Sequence, residues 1–347
     1  MRARQKVVLC VLSVAMVGIF ILLRLLPRTP LDRAVLVARS TWVEGGIEYP
    51  SDCWAAPNRM VGFSDMGERT WNAHLHDLRT GRTEQLDGLK RLSRSMRAIQ
   101  PGWSGGKVSP DGKWLLWGVS GSTGLSAFYV AELDGTHAYA WRNHPRIQAP
   151  DKSFDTAWRG DSRSWISISF IKGRASTLRI YPLRKPETVQ IKELGGLPIQ
   201  RFVIGTLRDG RIVTADSTNS CLTIFDPKDP ARSLQTITLG QNPGWETSQV
   251  AISPDGRRLA RLTIRPVNRF ENRVARFFQD AIHRGRNTEV RVSASDLRRD
   301  NDVELGRFEA VFMSHGGDSC GIYGWQDDGR NLLFQRGDSI LKIKVPR

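Results

Sequence analysis

The pentapeptide Gly102-Trp103-Ser104-Gly105-Gly106 has the G-x-S-x-G spacing of a serine nucleophile raised on a strand-turn-helix elbow toward a histidine. Its surroundings do not build that elbow. The segment runs into an apolar, strand-like stretch and no helix pattern follows, so Ser104 is not read as a nucleophile. His74 and His76 lie two apart in another strand-like stretch, where side chains share a face and two rings could ligate one metal ion. No third ligand accompanies them, and a surface or packing pair is the plainer reading. His315, close to Asp318, is the remaining toehold for acid-base chemistry. Eleven tryptophans, among them Trp42, Trp54, Trp103, Trp158, Trp245 and Trp325, offer flat faces that could stack on sugars or peptides, but several recur at one position of a repeat, which packing explains. No catalytic, cofactor-binding or metal residue is assigned, and no cofactor motif is found.

The elements that would position these groups follow from a repeat. Val108-Ser109-Pro110-Asp111-Gly112-Lys113-Trp114-Leu115-Leu116-Trp117 returns as Ile252-Ser253-Pro254-Asp255-Gly256-Arg257-Arg258-Leu259-Ala260-Arg261. Looser copies begin at Trp158, Thr206 and Trp325, and a degenerate one at Trp54; the steps from the first to the last are 54, 50, 48, 46 and 73 residues. Each copy encodes a hairpin: Pro presets φ, Asp or Ser bonds the nearby backbone, and Gly takes the positive φ that reverses the chain. The strand after the turn is apolar on both faces, as a sheet covered on both sides requires. A further strand ends at an Asp turn, at Asp77, Asp134, Asp226 or Asp296. One period is therefore about four strands, and four-stranded sheets that each need a neighbour on both faces close into a ring.

In these turns and apolar strands the chain resembles the TolB-like, WD-type β-propellers, over residues ~34–347. The fold class expected is all-β: a six-bladed β-propeller of four-stranded antiparallel blades over 31–347, preceded by one transmembrane helix within 1–30. The resemblance implies a binding platform with ligands at the mouth of the central channel. The last copy stops one strand short, so Ala34 to Arg39 is expected to supply the missing outer strand and close the ring. Cys53 and Cys320 then fall in neighbouring inner strands, where a disulfide across the seam is a hypothesis; Cys10 lies in the apolar run, and no CxxC or zinc pattern occurs.

The long step contains about 25 extra residues. Phe270, Val274, Phe277, Phe278, Ala281 and Ile282 recur at helical spacing while Arg269, Arg273, Arg276 and Arg284 fall mostly elsewhere on the wheel. A basic amphipathic helix is expected over 266–288, with Arg269, Arg273, Arg276, Phe270, Phe277 and Phe278 the candidates for contact with a partner or anionic lipid.

Val7 to Leu26 forms a run of twenty residues with one charge, Arg24, about 30 Å as a helix and enough to span a bilayer. Arg2, Arg4 and Lys6 precede it, which favours an uncleaved signal anchor with the propeller on the extracytoplasmic side, periplasmic or extracellular. The formal charge of +16 comes from 40 Arg and 11 Lys dispersed along the chain rather than gathered into a patch, so no nucleic-acid partner is expected. The reading of function is a membrane-anchored, non-catalytic module that binds or scaffolds a protein or polymer of the cell envelope. The alternative is an envelope lyase or hydrolase acting on polysaccharide or peptide at the channel mouth.

Overall fold

The computed structural model describes residues 29–40, 54–55, 59–65, 71–87, 107–120, 126–134, 136–144, 152–171, 174–185, 188–197, 202–216, 220–239, 243–267, 286–297, 301–312, 320–326 and 329–346. Its strands form six four-stranded antiparallel sheets. Blade one holds β2 (Trp54–Ala55), β3 (Arg59–Asp65), β4 (Trp71–Asp77) and β5 (Thr83–Gln85), and blade two β6 (Lys107–Val108), β7 (Trp114–Ser120), β8 (Ser126–Glu132) and β9 (Ala138–His144). Blade three is β10 (Lys152–Trp158), β11 (Ser164–Ile171), β12 (Arg174–Pro182) and β13 (Gln190–Leu197). Blade four is β14 (Phe202–Thr206), β15 (Ile212–Ala215), β16 (Cys221–Phe225) and β17 (Gln235–Thr238). Blade five is β18 (Glu246–Ile252), β19 (Arg258–Pro266), β20 (Arg286–Asp296) and β21 (Asn301–Phe312). Blade six is β22 (Cys320–Trp325), β23 (Asn331–Arg336) and β24 (Ser339–Lys344), completed by β1 (Val35–Arg39) on its outer edge.

The repeat turn works as its residues dictate. In blade five Ser253 Oγ donates to Asp255 at 2.6 Å and accepts from the Arg258 N–H at 2.9 Å, while Asp255 also accepts from the Arg257 N–H at 3.1 Å and Gly256 takes φ 70°. Blade two repeats the set with Ser109, Asp111, Trp114 and Lys113. Blade three has serine where blades two, four, five and six have glycine: Ser162 holds φ 54°, and its Oγ accepts the Asp111 N–H of blade two at 2.9 Å. A side chain in the left-handed region is strained, and the bond between blades offsets that strain.

The blades stack through apolar layers because each middle strand is buried on both faces. Trp114, Leu116 and Phe128 of blade two meet Trp165 and Tyr181 of blade three, whose rings stack 3.8 Å apart. The other face of blade three, with Ile166, Ile168 and Leu178, meets Ile212 and Phe225. Leu259 meets Leu222 between blades four and five, and Leu262, Val290 and Val292 meet Phe334 and Ile343 between blades five and six. Ala38 and Ile340 of blade six pack on Met60 of blade one, which closes the ring.

Ring closure runs through a strap, residues 29–40. β1 pairs with β24 from Val35↔Lys342 to Arg39↔Ser339, and Arg39 reaches Asp338 at 2.6 Å. Ahead of β1, Leu31 turns aside to blade five, donating its N–H to the Leu305 carbonyl at 2.7 Å and burying its side chain in the core between blades five and six. Blade one holds the strap from the other side: His76 Nε2 lies 3.0 Å from the Val37 carbonyl, with Nδ1 2.8 Å from Thr83 Oγ1. The expectation for Ala34 to Arg39 is met, and the strap also ties together three blades.

Two expectations fall on residues outside those described. Val7 to Leu26 is one; among the described residues no helix is long and apolar enough to cross a membrane. The blade-five insertion is the other, since residues 268–285, including Arg269, Phe270, Arg273, Arg276, Phe277 and Phe278, are not described. Its expected bounds are corrected: Pro266 ends β19 and Arg286 to Thr288 open β20, with Pro266 opposite Thr288. The ladder runs on because Arg265 and Glu289, facing one another, pair at 2.6 Å, and Pro266, without an N–H, is tolerated at a strand end.

Candidate functional site

The inner strands β6, β10, β14, β18 and β22 surround a central cavity of about 590 Å³, within the range typical of ligand sites, roughly 300–1,000 Å³. It opens among the repeat turns, where Pro110, Asp111, Asp161, Arg208 and Pro254 stand at its edge. Its lining includes the aliphatic Val203, Ile204, Val250, Ile252 and Ile322 together with the aromatic Trp158, Tyr323 and Trp325. Lys107 spans two blades, its Nζ donating to the Thr156 carbonyl at 2.6 Å.

The wall is cross-braced between blades. The Trp158 indole N–H donates to the Lys107 carbonyl at 2.8 Å, Thr206 Oγ1 to the Trp158 carbonyl at 2.9 Å, and the Trp325 indole to the Ala251 carbonyl at 3.0 Å. Thus the repeat tryptophans brace neighbouring inner strands, and both are buried. The two carboxylates at the edge serve their own turns: Asp111 accepts from Ser109 Oγ and the Lys113 N–H, and Asp161 from the Arg163 N–H. The cavity thus has a polar rim, with Arg208 exposed, above an aliphatic and aromatic wall, the composition of a ligand-holding site.

Each ring of the histidine pair is engaged by local hydrogen bonds. His74 Nε2 shares a hydrogen bond with Ser64 Oγ at 2.8 Å, while His76 is bound to Thr83 and the strap; among the described residues no group of three potential ligands is gathered. Burial holds the His74 imidazole below its ordinary pKa, so its neutral form is favoured. Cys320 opens β22 as expected of an inner strand, whereas Cys53 lies outside the described residues, as do Ser104, His315 and Asp318. Cys221 is a half-buried thiol that burial, and then the Asp216 carboxylate, push above its ordinary pKa, the opposite of an activated nucleophile.

A second polar constellation was not legible in the sequence. Blade five has strands of nine, eleven and twelve residues beside four-, five- and four-residue strands in blade four, so part of its sheet rises past its neighbour. On the face turned toward blade four, Arg261, Asp302, Arg291, Glu304, Arg307, Glu289 and Arg265 alternate in one chain of ion pairs between 2.6 and 3.3 Å. Trp245 caps it: the guanidinium carbons of Arg265 and Arg307 lie 4.6 and 5.4 Å from its ring centre. That tryptophan stacks on its own chain's arginines, and four arginines against three carboxylates leave the ladder one positive charge in excess.

No protein-family model matches the chain, and no curated protein matches it. Among solved structures, TolB from Acinetobacter baumannii aligns at 13% identity over 91% of this chain and 55% of its own, with a TM-score of 0.39. A prolyl endopeptidase aligns at 14% identity over 84% and 49%, TM-score 0.43. A virginiamycin B lyase from Staphylococcus aureus aligns at 8% identity over 86% and 80%, TM-score 0.42. The chain spans about half the length of the first two.

Proposed function

We propose that this chain is a non-catalytic binding or scaffolding module, held to a membrane by Val7 to Leu26, that captures a segment of a protein or envelope polymer in the mouth of its central channel on the extracytoplasmic side. The observation that carries the binding reading is the cavity of about 590 Å³, whose rim carboxylates each accept turn hydrogen bonds through one oxygen and whose lining gathers aliphatic and aromatic side chains, among them Ile204, Ile322, Trp158 and Tyr323. Such a surface recognises shape and apolar groups, with a few polar contacts at its rim, rather than activating a bond. The anchor rests on the length and charge flanks of the N-terminal run.

The test places a photo-crosslinking residue at Ile204, on the cavity wall, or at Arg232, on the outside of blade four, in cells that make the full chain. A discrete adduct at 204 that is missing at 232 is the expected result. Equal labelling at the two positions, or turnover of a peptide or polysaccharide that Arg208→Glu abolishes, would sink the reading. Protease added to intact spheroplasts should degrade the propeller; a protected propeller would put it on the cytoplasmic side.

A further inference from the structure

The outer edges of the blades differ in what they show to solvent. β5 presents Thr83, Glu84 and Gln85, all exposed, and β17 presents Gln235, Thr236 and Thr238, also exposed. Polar edges of this kind keep a sheet from pairing with other chains. The strap is unlike them. Val35 and Leu36, adjacent in β1 and so on opposite faces, are 56% and 47% exposed, with Arg33, Arg39 and Lys344 exposed around them. An apolar edge exposed on both sides would be a hazard in water, yet here it lies where the chain arrives from its apolar run. Leu26 is three residues before Thr29, so at most ~10 Å of extended chain separates the end of that run from the strap. The strap cannot swing away, because Leu31 is buried against blade five and β1 is hydrogen-bonded to β24.

We infer that this edge of blade six is a bilayer-contact surface: Val35 and Leu36 enter the interfacial region of an anionic membrane while Arg33 and Lys344 meet lipid phosphates, setting the ring on its side with the channel mouth open along the surface. Shallow apolar insertion and basic side chains at phosphate level reinforce one another. Leu31 fixes the angle of the exit because it anchors the strap to the neighbouring blade. The inference rests on the anchor reading and adds which edge touches lipid.

The experiment uses the full chain in vesicles of phosphatidylcholine alone or mixed with phosphatidylglycerol, with benzoylphenylalanine replacing Leu36 or, as the control, Ile191, the exposed apolar residue on the edge of blade three. After irradiation, mass spectrometry distinguishes a lipid adduct from a crosslinked pair of chains. Lipid adduct at 36 should exceed that at 191 by about tenfold on phosphatidylglycerol vesicles and fall by about threefold when Arg33→Glu is added. Equal adduct at both positions, or a chain-to-chain product at 36, would overturn the inference, the second by showing that another copy covers the edge. A carbonate wash of the same vesicles reads the anchor separately: a chain that stays in the membrane without adduct at 36 keeps its anchor and loses this contact, and a chain that washes out loses the anchor.

Discussion

At the scale of single residues, most polar side chains in the ring act as braces, and their energetics follow from partners a few ångströms away. Ser162 is the clearest case, since its backbone conformation is unfavourable by itself and its hydroxyl receives the Asp111 N–H across a blade boundary. Ser162→Gly relieves the backbone and loses the bond, two effects of about 1 kcal/mol each and opposite sign. Ser162→Ala loses the bond and keeps the strain, so it should unfold at lower urea than either Ser or Gly at this position, by about 1 kcal/mol. His74 gives a pH signature. Its folded pKa lies below 6.5 because burial disfavours the imidazolium, so the unfolded chain binds the proton more readily. The stability it contributes is complete above the unfolded pKa and is lost as pH falls toward the folded value. Thermal scans between pH 7 and 5 should therefore show a falling midpoint, and His74→Gln should flatten that slope; an unchanged slope would contradict it.

At the scale of elements, the decisive packing is the strap against a bulge. β20 and β21 slip register between Val292 and Ser293, leaving Leu305 as the extra residue and Gly306 opposite Val292. A Cβ on Gly306 would stand 2.3 Å from the Leu31 Cβ, far inside contact distance. Gly306→Ala should thus push the strap off its seat, and Leu31→Ala should leave a cavity; each is expected to destabilise by about 2–4 kcal/mol. The two together should fall short of their sum by a kcal/mol or more, about the coupling of residues in contact, since both disrupt one seat. Full additivity in urea melts would contradict the seat. The repeat strands were legible because Ser-Pro-Asp-Gly marks the turns of blades two and five, looser Asp-containing turns mark blades three, four and six, and an apolar strand follows each; the orphan segment before Arg39 was legible because the sixth copy lacks an outer strand. Gly306 was not, because a glycine inside a strand carries no sign of what approaches it. The cavity was legible only as a consequence of the ring, since its lining comes from the same turn and inner-strand positions of successive repeats, which the motif marks as structural and not as a site. The ion-pair ladder was hidden for another reason: Arg261 and Asp302 are 41 positions apart, and only the register of three strands brings them together.

At the scale of the whole molecule, a ring of sheets has one weak point, the seam where it closes, and here that seam is fastened by twelve residues at the start of the described chain. Without residues 29–40, β24 would be an open edge, the Leu305 carbonyl and His76 Nε2 would lose their partners, and Met60 and Ile340 would lose the cover of Ala38. Four ladder pairs and a buried Leu together contribute on the order of 5 kcal/mol, comparable with the net stability of an ordinary domain. A chain beginning at Thr29 should therefore unfold cooperatively as a monomer, whereas one beginning at Thr41 should melt lower and self-associate through the bared edge of β24. Adding the peptide 29–40 to the shorter chain should restore the monomer in size-exclusion chromatography, because the missing strand can pair from outside. A peptide with Leu31→Asp should restore it far less, since a carboxylate cannot enter the seat beside Gly306 without losing its hydration. If the chain starting at Thr41 keeps the same midpoint and remains monomeric, the strap is ornament and the ring is held by its inner strands alone.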